Sequence, residues 1–351
     1  MTLKVGLIGC GHIGTFHARN IKDVQTRGLA DISYHATCDR DISRAEKFAT
    51  IAGCSLATQS AEEIIDCCDA VYVCTETAEH PALVQAAAAA GRHVFCEKPL
   101  ARSLADAQAM ATAVDAAGIT HQVGLVLRHS PVYRVLADLL EQAPGPLLSA
   151  HLRDDQCFPI GGHYGSTWRS DVQRAGGGTL LEHSIHDVDL FRRLFGEIER
   201  VSCHTRNTVG YPGIENVAVA TFHHEGGHVS TLTSVWHDVT TRQSSRHLEV
   251  FSAGARLDTH QDYFGAVSVE QGDHGPVTLS SDEVLARFMV LEGLHARDED
   301  LRGLAGLSDR RFLQAAAAGK PSTPDFQDAL AAHRVVDACY RSAAENRELA
   351  V

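Results

Sequence analysis

"GLIGCGHIGTFHARN" occupies residues 6–20 and contains Gly9-x-Gly11-x-x-Gly14. The apolar run "LKVGLIGC" (3–10) reads as a strand leading into it, and residues 13–26 read as a helix leading out. Alone, three glycines at this spacing say little, because glycine is common. Between a strand and a helix each has a task. Gly9 permits the tight turn, Gly11 lets a pyrophosphate approach the backbone, and Gly14 lets helix pack on strand. The helix start, with His12 and Ile13, then offers unpaired N–H groups to phosphate. A second strand, "DISYHATCDR" (31–40), ends in Asp39, placed to bond the adenosine ribose hydroxyls. A 2′-phosphate beside that carboxylate is repelled, which favours NAD. Arg40, next in the chain, leaves NADP open.

Strand and helix signals keep alternating to about residue 125, as parallel α/β units do. "DAVYVCT" (69–75), "RHVFCEKP" (92–99) and "THQVGLV" (120–126) supply later strands, with helices expected near 41–52, 79–90 and 103–117. The character then changes. A short helix over 131–142 ends at "APGP", and β-branched strands predominate from 147. "NVAVATFHHEGGHVSTLTSVW" (216–236) reads as a hairpin turning at Gly226-Gly227, and "RHLEVFSAGARLDTH" (246–260) as another. Within the first, Val229, Thr231, Thr233 and Val235 alternate with a mixed, small face of His228, Ser230, Leu232 and Ser234. Such a sheet suits one face on its own domain and the other on a partner subunit, or in solvent. Helical signals return over 308–346. Two domains follow: 1–125, dinucleotide-binding, and 126–351, for substrate and oligomerisation.

With 351 residues, 44% of them apolar, the chain is long enough for two cores. Its net charge of −13 disfavours nucleic acid and anionic membrane. No apolar run approaches bilayer length, and "MTLK" passes straight into a strand without a signal peptide, so a cytoplasmic protein is expected. The ten cysteines are scattered without a CxxC pair and read as reduced thiols.

"GGGTLLEHSIHDVDL" (176–190) is dense in imidazoles and carboxylates. If 179–193 is helical, Glu182, His186 and Asp189 share one stripe, beside an apolar stripe of Leu181, Ile185 and Val188. A half-buried histidine there suits proton transfer from a hydroxyl. Glu182, His183 and His186, with His163 or His237, also offer metal ligands. Their spacing matches no zinc signature, and no metal is expected. The three glycines lack a following Lys-Ser/Thr, so they read as backbone clearance beside nicotinamide or substrate rather than a phosphate loop. "RDDQCFPIGGHYGSTWRSD" (153–171) and "SVWHD" (234–238) supply Arg153, His163, Tyr164, Trp168, Arg169, Trp236 and His237, residue types that stack on sugar C–H faces and bond hydroxyls. No Arg/Lys cluster there suggests a phosphorylated sugar.

The ordered set resembles the Gfo/Idh/MocA family of oxidoreductases. Its members are the glycine triplet, "DAVYVCT…H" (69–80), Glu97-Lys98-Pro99, "GLVLRHSP" (124–131), "WRSD" (168–171), the glycine-histidine stretch, and "DALAAHRVVDACYRSAAE" (328–345). The resemblance implies an α/β protein: an N-terminal Rossmann domain plus a C-terminal α/β domain with a large, mostly antiparallel open sheet. It implies reversible hydride transfer between a nicotinamide and an alcohol carbon of a sugar, cyclitol or polyol. By position, Lys98 is the lysine that touches substrate and nicotinamide ribose, and His186 the acid/base, with Glu182 beside it. Thr75, His80 and Glu97 join the cofactor site, and Arg128 the substrate site. Glu182 stands where Asp is more usual and Ser184 where Gly is common, which puts substrate geometry in question. A homodimer or homotetramer through the C-terminal sheet is expected. A redox-neutral hydrolase or epimerase with tightly held NAD uses the same residues and remains the alternative. A noncatalytic NAD sensor ranks last.

Overall fold

The computed structural model describes residues 2–161, 165–294 and 301–351. The chain forms two compact units. The first holds six parallel strands: β1 (Leu3–Ile8), β2 (Ile32–Cys38), β3 (Leu56–Thr58), β4 (Ala70–Val73), β5 (His93–Cys96) and β6 (His121–Val123), in the order β3-β2-β1-β4-β5-β6. This is the doubly wound dinucleotide-binding arrangement, in which the connections leave β1 and β4 on opposite sides and open a crevice at their carboxyl ends. β4 and β5 are buried on both faces and therefore read as apolar runs. The helix expected over 41–52 is present as Ile42–Ala52, while β3 and the helix Ala61–Cys67 fill the stretch between it and β4, where no element was anticipated.

The first unit does not end at residue 125. It also takes in Gln173–Gly176 and a later segment ending at Leu330. The reason is apolar. Phe312 and Leu313, on the helix Leu307–Ala317, pack with Tyr72 and Phe95 in one core cluster, with Phe312 edge-on to both rings. Phe326 and Leu330 join the cluster on the other side of the sheet.

The second unit is built on a nine-stranded sheet. Its strands are β7 (Leu147–Cys157), β8 (Ile198–Arg206), β9 (Val217–His224), β10 (Val229–His237), β11 (Ser245–Ser252), β12 (Ala255–Thr259), β13 (Val267–Gln271), β14 (Val277–Leu279) and β15 (Leu349–Ala350). The order is β14-β13-β12-β11-β7-β10-β9-β8-β15, antiparallel except for β7 beside β10. Both expected hairpins are present. On β10 the small face, Ser230, Leu232 and Ser234, is the buried one. Thr179 Oγ1 lies 2.7 Å from Ser234 Oγ and Ser184 Oγ donates to it at 2.6 Å, so only short side chains let these segments approach the sheet. The β-branched face points outward. All ten cysteines are free thiols. Among the described residues, no helix is long and apolar enough to cross a membrane.

Candidate active site

The glycine turn follows β1 and faces the crevice beside β4. Gly9 has φ +102°, closed to other residues without strain, and a Cβ there would lie 2.6 Å from the Cys74 carbonyl carbon. A Cβ on Gly14 would run into the Gly9 carbonyl oxygen. Gly11 differs: its Cβ direction is open for 4 Å. It is also the N-cap of the helix His12–Thr26 and supplies no side-chain cap, and a helix N-terminus favours an anion. Ile13 in that first turn is 37% exposed, offering an apolar edge to a ligand. Asp39 closes β2, with one carboxylate oxygen accepting from Cys10 N at 2.8 Å and the other from Asp41 N at 2.9 Å. These bonds fix the carboxylate at the end of the crevice, where a ribose hydroxyl can reach its remaining lone pairs. The cradle fits NAD. Arg40, by contrast, is held by Glu76 at 2.7 Å, and Glu76 also accepts from Arg174 at 2.6 Å. That pairing draws the guanidinium away from the phosphate-gripping role open to it in the sequence.

Glu97-Lys98-Pro99 follows β5 at the same sheet edge, and the Lys98–Pro99 peptide is cis. Glu97 positions this turn. Its Oε2 accepts the Lys98 N–H at 3.1 Å, and its carboxylate fills the space where a Cβ on Gly124 would sit. His17 holds Glu97 in turn, 2.9 Å from Oε1, with its other ring nitrogen 2.6 Å from Asp309. Sequence reading missed both partners. His17 was discoverable, because it lies on the buried stripe Gly14, His17, Ala18, Ile21 and Val24. His80 ties two loops together, its Nδ1 3.0 Å from the Pro99 carbonyl and its Nε2 3.3 Å from that of Thr75.

Burial alone would lower the His17 pKa, but Asp309 and Glu97 outweigh it and hold the ring at about 10, above the ordinary 6.5. The folded protein therefore keeps a proton that the unfolded chain releases near 6.5. The resulting stability is full below that pH and is lost as pH rises toward about 10. Thermal midpoints of the wild type and His17→Gln are expected to differ most at mildly acidic pH, to draw closer as pH rises through neutrality and to converge at the alkaline end. A constant gap would refute this.

In the second unit, the glycine-histidine stretch is not one helix. It forms Thr179–Glu182, breaks at His183-Ser184, and resumes as Ile185–Phe195. Glu215 secures the start, accepting from Gly178 N at 2.8 Å, Leu180 N at 2.9 Å and Tyr340 Oη at 2.9 Å. The glycines are thus clearance for the protein's own chain, not for nicotinamide or substrate. A Cβ on Gly177 would strike the Tyr340 hydroxyl, one on Gly178 the Glu215 backbone, and one on Gly176 would lie 2.6 Å from Arg102 Cα.

Glu182, His186 and Asp189 are all buried, as are Leu181, Ile185 and Val188. Arg128 grips Asp189 through two bonds of 2.8 and 2.7 Å. Arg169 Nε lies 3.3 Å from Glu182 Oε2, and its guanidinium stacks 4.2 Å from the centre of the Trp168 ring. The extra methylene of Glu182 has a purpose here: it carries the carboxylate out to Arg169. Along this segment stand an indole face, one bidentate and one single-contact guanidinium, two buried carboxylates and an imidazole.

Beneath them lies a network that sequence reading missed. Arg246 is 4% exposed and bonds Asp187 at 2.7 Å and Asp154 at 3.1 Å. His183 Nε2 lies 2.8 Å from the same Asp154. Burial pushes both carboxyls up, Asp187 to about 7, against the pull of Arg246. Arg246 shares its inward parity with Leu248 and Val250, so a charge on an apolar stripe was the available signal.

Three expected substrate contacts lie elsewhere. Trp236 is 1% exposed and packs on Phe158 at 5.1 Å, because even-numbered β10 residues face the core. His237 and Arg153 have the opposite parity. On that outer face both sit beside Asp155, at 3.5 and 3.1 Å. His163 and Tyr164 lie outside the described residues.

Residues 3–125 match the family described as "Oxidoreductase family, NAD-binding Rossmann fold", and residues 134–257 match the GFO/IDH/MocA C-terminal domain. Myo-inositol 2-dehydrogenase of Thermotoga maritima is 27% identical, covering 99% of this chain and 98% of its own. Inositol 2-dehydrogenase of Rhizobium meliloti is 25% identical over the full length of both. Levoglucosan dehydrogenase in complex with NADH shares the fold at a TM-score of 0.87, with 23% identity, 100% of this chain and 99% of that one covered.

Proposed function

The chain belongs to the Gfo/Idh/MocA oxidoreductase family, and on that footing we propose that it reversibly oxidises a CH–OH carbon of a sugar, cyclitol or polyol. The observation that carries this reading is the set of buried Glu182, His186 and Asp189, with Arg128 on Asp189 and the Trp168-stacked Arg169 on Glu182. Full-length similarity to proteins named inositol 2-dehydrogenase supports the substrate class.

NAD, when bound, supplies the hydride acceptor; Gly11 clears its pyrophosphate in the turn that Gly9 and Gly14 make possible, and Asp39 takes the ribose. Oxidation also releases a proton from the hydroxyl, and His186 accepts it. Lys98, fixed by Glu97, bears on the reacting oxygen and stabilises the charge that develops there. Arg128–Asp189 and Arg169–Glu182 hold these carboxylates in place and present N–H and oxygen atoms to neighbouring hydroxyls. Trp168 offers a face for ring C–H groups. We assign residues 1–125 the cofactor role, the outer sheet face the contact in a homodimer or homotetramer, and the cytoplasm as the compartment.

The test is a panel of unphosphorylated sugars, cyclitols and polyols, each with NAD and NADP, followed by nicotinamide absorbance, with EDTA in parallel. Expected are reduction of NAD in preference to NADP by at least one class, and no effect of EDTA. Failure to reduce either cofactor across the panel would refute the reading.

A further inference from the structure

Far from His186, the outer face of the nine-stranded sheet brings together two imidazoles and a carboxylate. His247 lies on β11, Asp258 on β12 and His260 one residue beyond it. Leu248 pairs with Thr259 across these strands, which sets His247 opposite His260 with Asp258 between them. His247 Nε2 is 2.6 Å from Asp258 Oδ1, and His260 Nε2 is 3.3 Å from Oδ2. The two rings stack with centroids 3.9 Å apart and planes 16° from parallel, so both present the same edge to one carboxylate. One ligand atom from each of the three lies within 4.8 Å of the others.

We propose that His247, Asp258 and His260 bind a divalent transition cation of the zinc type, clipping β11 to the end of β12. Two imidazole nitrogens and one carboxylate form the donor set such ions prefer, whereas magnesium and calcium take oxygen shells. A tetrahedral ion with ligand bonds of about 2.1 Å holds its ligand atoms ~3.4 Å apart. His260 and Asp258 already stand at 3.3 Å; His247 must withdraw from hydrogen-bond distance by under an ångström, and one of the stacked rings must turn so that both nitrogens converge on the ion. The His260 side chain is 62% exposed in the single chain and borders a hollow lined by Arg242, Ser244 and Gln261, so the fourth coordination position falls to water or to a group across the subunit contact. Arg256 stands 3.6 Å from Asp258, but Glu249 and Glu270 engage it at 2.5 and 2.7 Å. Three carboxylates against one guanidinium leave a surplus of negative charge for a cation. Only neutral imidazole binds the ion, so affinity falls as pH falls.

The experiment titrates EDTA-stripped, full-length protein without a polyhistidine tag with Co2+, read by visible absorption, then displaces it with Zn2+. Expected are one Co2+ per chain and at least a tenfold loss of affinity in His260→Ala and in His247→Gln. Zn2+ is also expected to raise the thermal midpoint of the wild type but not of His260→Ala. His260 is exposed, so its removal leaves the fold intact, which the metal-free midpoint checks. Equal Co2+ affinity in wild type and both variants would overturn the proposal, since the ion would then sit on other histidines. Dehydrogenase turnover does not enter this test.

Discussion

His186→Ala is expected to lower kcat by about 10²–10⁴-fold while leaving NAD affinity nearly unchanged, as removal of a general base does. The base acts only as the hydroxyl proton departs, so its loss falls on kcat rather than on ground-state binding. On the proposed role of Lys98 as the cation that stabilises the developing oxyanion, Lys98→Ala is expected to cost as much in kcat/KM. The readouts are steady-state kinetics on a substrate found in the panel and NAD binding by tryptophan or nicotinamide fluorescence. His186 sits on a helix whose first turn is braced by Ser184, Asp187 and Arg246, so truncating its imidazole leaves that scaffold standing. If either variant turned over at the wild-type rate, that residue would have no part in the chemistry.

Much of this site was legible in the sequence because its chemistry is local. Gly9, Gly11 and Gly14 could be assigned separate tasks from spacing alone, and the structure gives them separate surroundings: a positive φ at Gly9, an open Cβ direction at Gly11 and a close backbone approach at Gly14. Glu182, His186 and Asp189 were found together because all three lie within eight consecutive residues. Arg246 was hidden because its partners, Asp154 and Asp187, come from positions 92 and 59 residues away. Asp309 was hidden for the same reason, standing 292 residues from His17. Buried ion pairs depend on tertiary approach, and periodicity carries no signal for it.

The sheet shows a different limit. Alternation along β10 was plain, yet it does not say which face turns inward. β-branched residues favour burial in general, but here the helical segment from Thr179 needs the close approach that serines permit. Trp236 follows the serines inward and becomes core, while His237 follows the valines outward. The two neighbours could not both serve one ligand, since adjacent strand residues point to opposite faces. The late helix Leu307–Ala317 was anticipated, but not its membership in the first unit. Its apolar residues fit either core, and only Tyr72 and Phe95 decide which.

Arg246→Met is expected to destabilise the protein by about 3–5 kcal/mol, measured by urea unfolding at pH 8. The guanidinium is the cation that lets Asp154 and Asp187 remain buried, and neither carboxylate has water to turn to. Asp187 already titrates at about 7, above the ordinary 3.8, because burial outweighs Arg246 and Asp154 adds repulsion. The folded state therefore holds more protons than the unfolded chain between those values, and this group's contribution to stability falls as pH rises through that window. Removing Arg246 takes away the one strong influence pulling the pKa down, so the window extends upward. The loss in Arg246→Met is accordingly expected to be smaller at pH 5 than at pH 8. Adding Asp187→Asn removes the charge that Arg246 balanced, and the double variant is expected to recover a large part of the loss at pH 8. A penalty independent of pH, with no recovery in the double variant, would mean that Arg246 acts by packing alone and that the buried carboxylates do not depend on its charge.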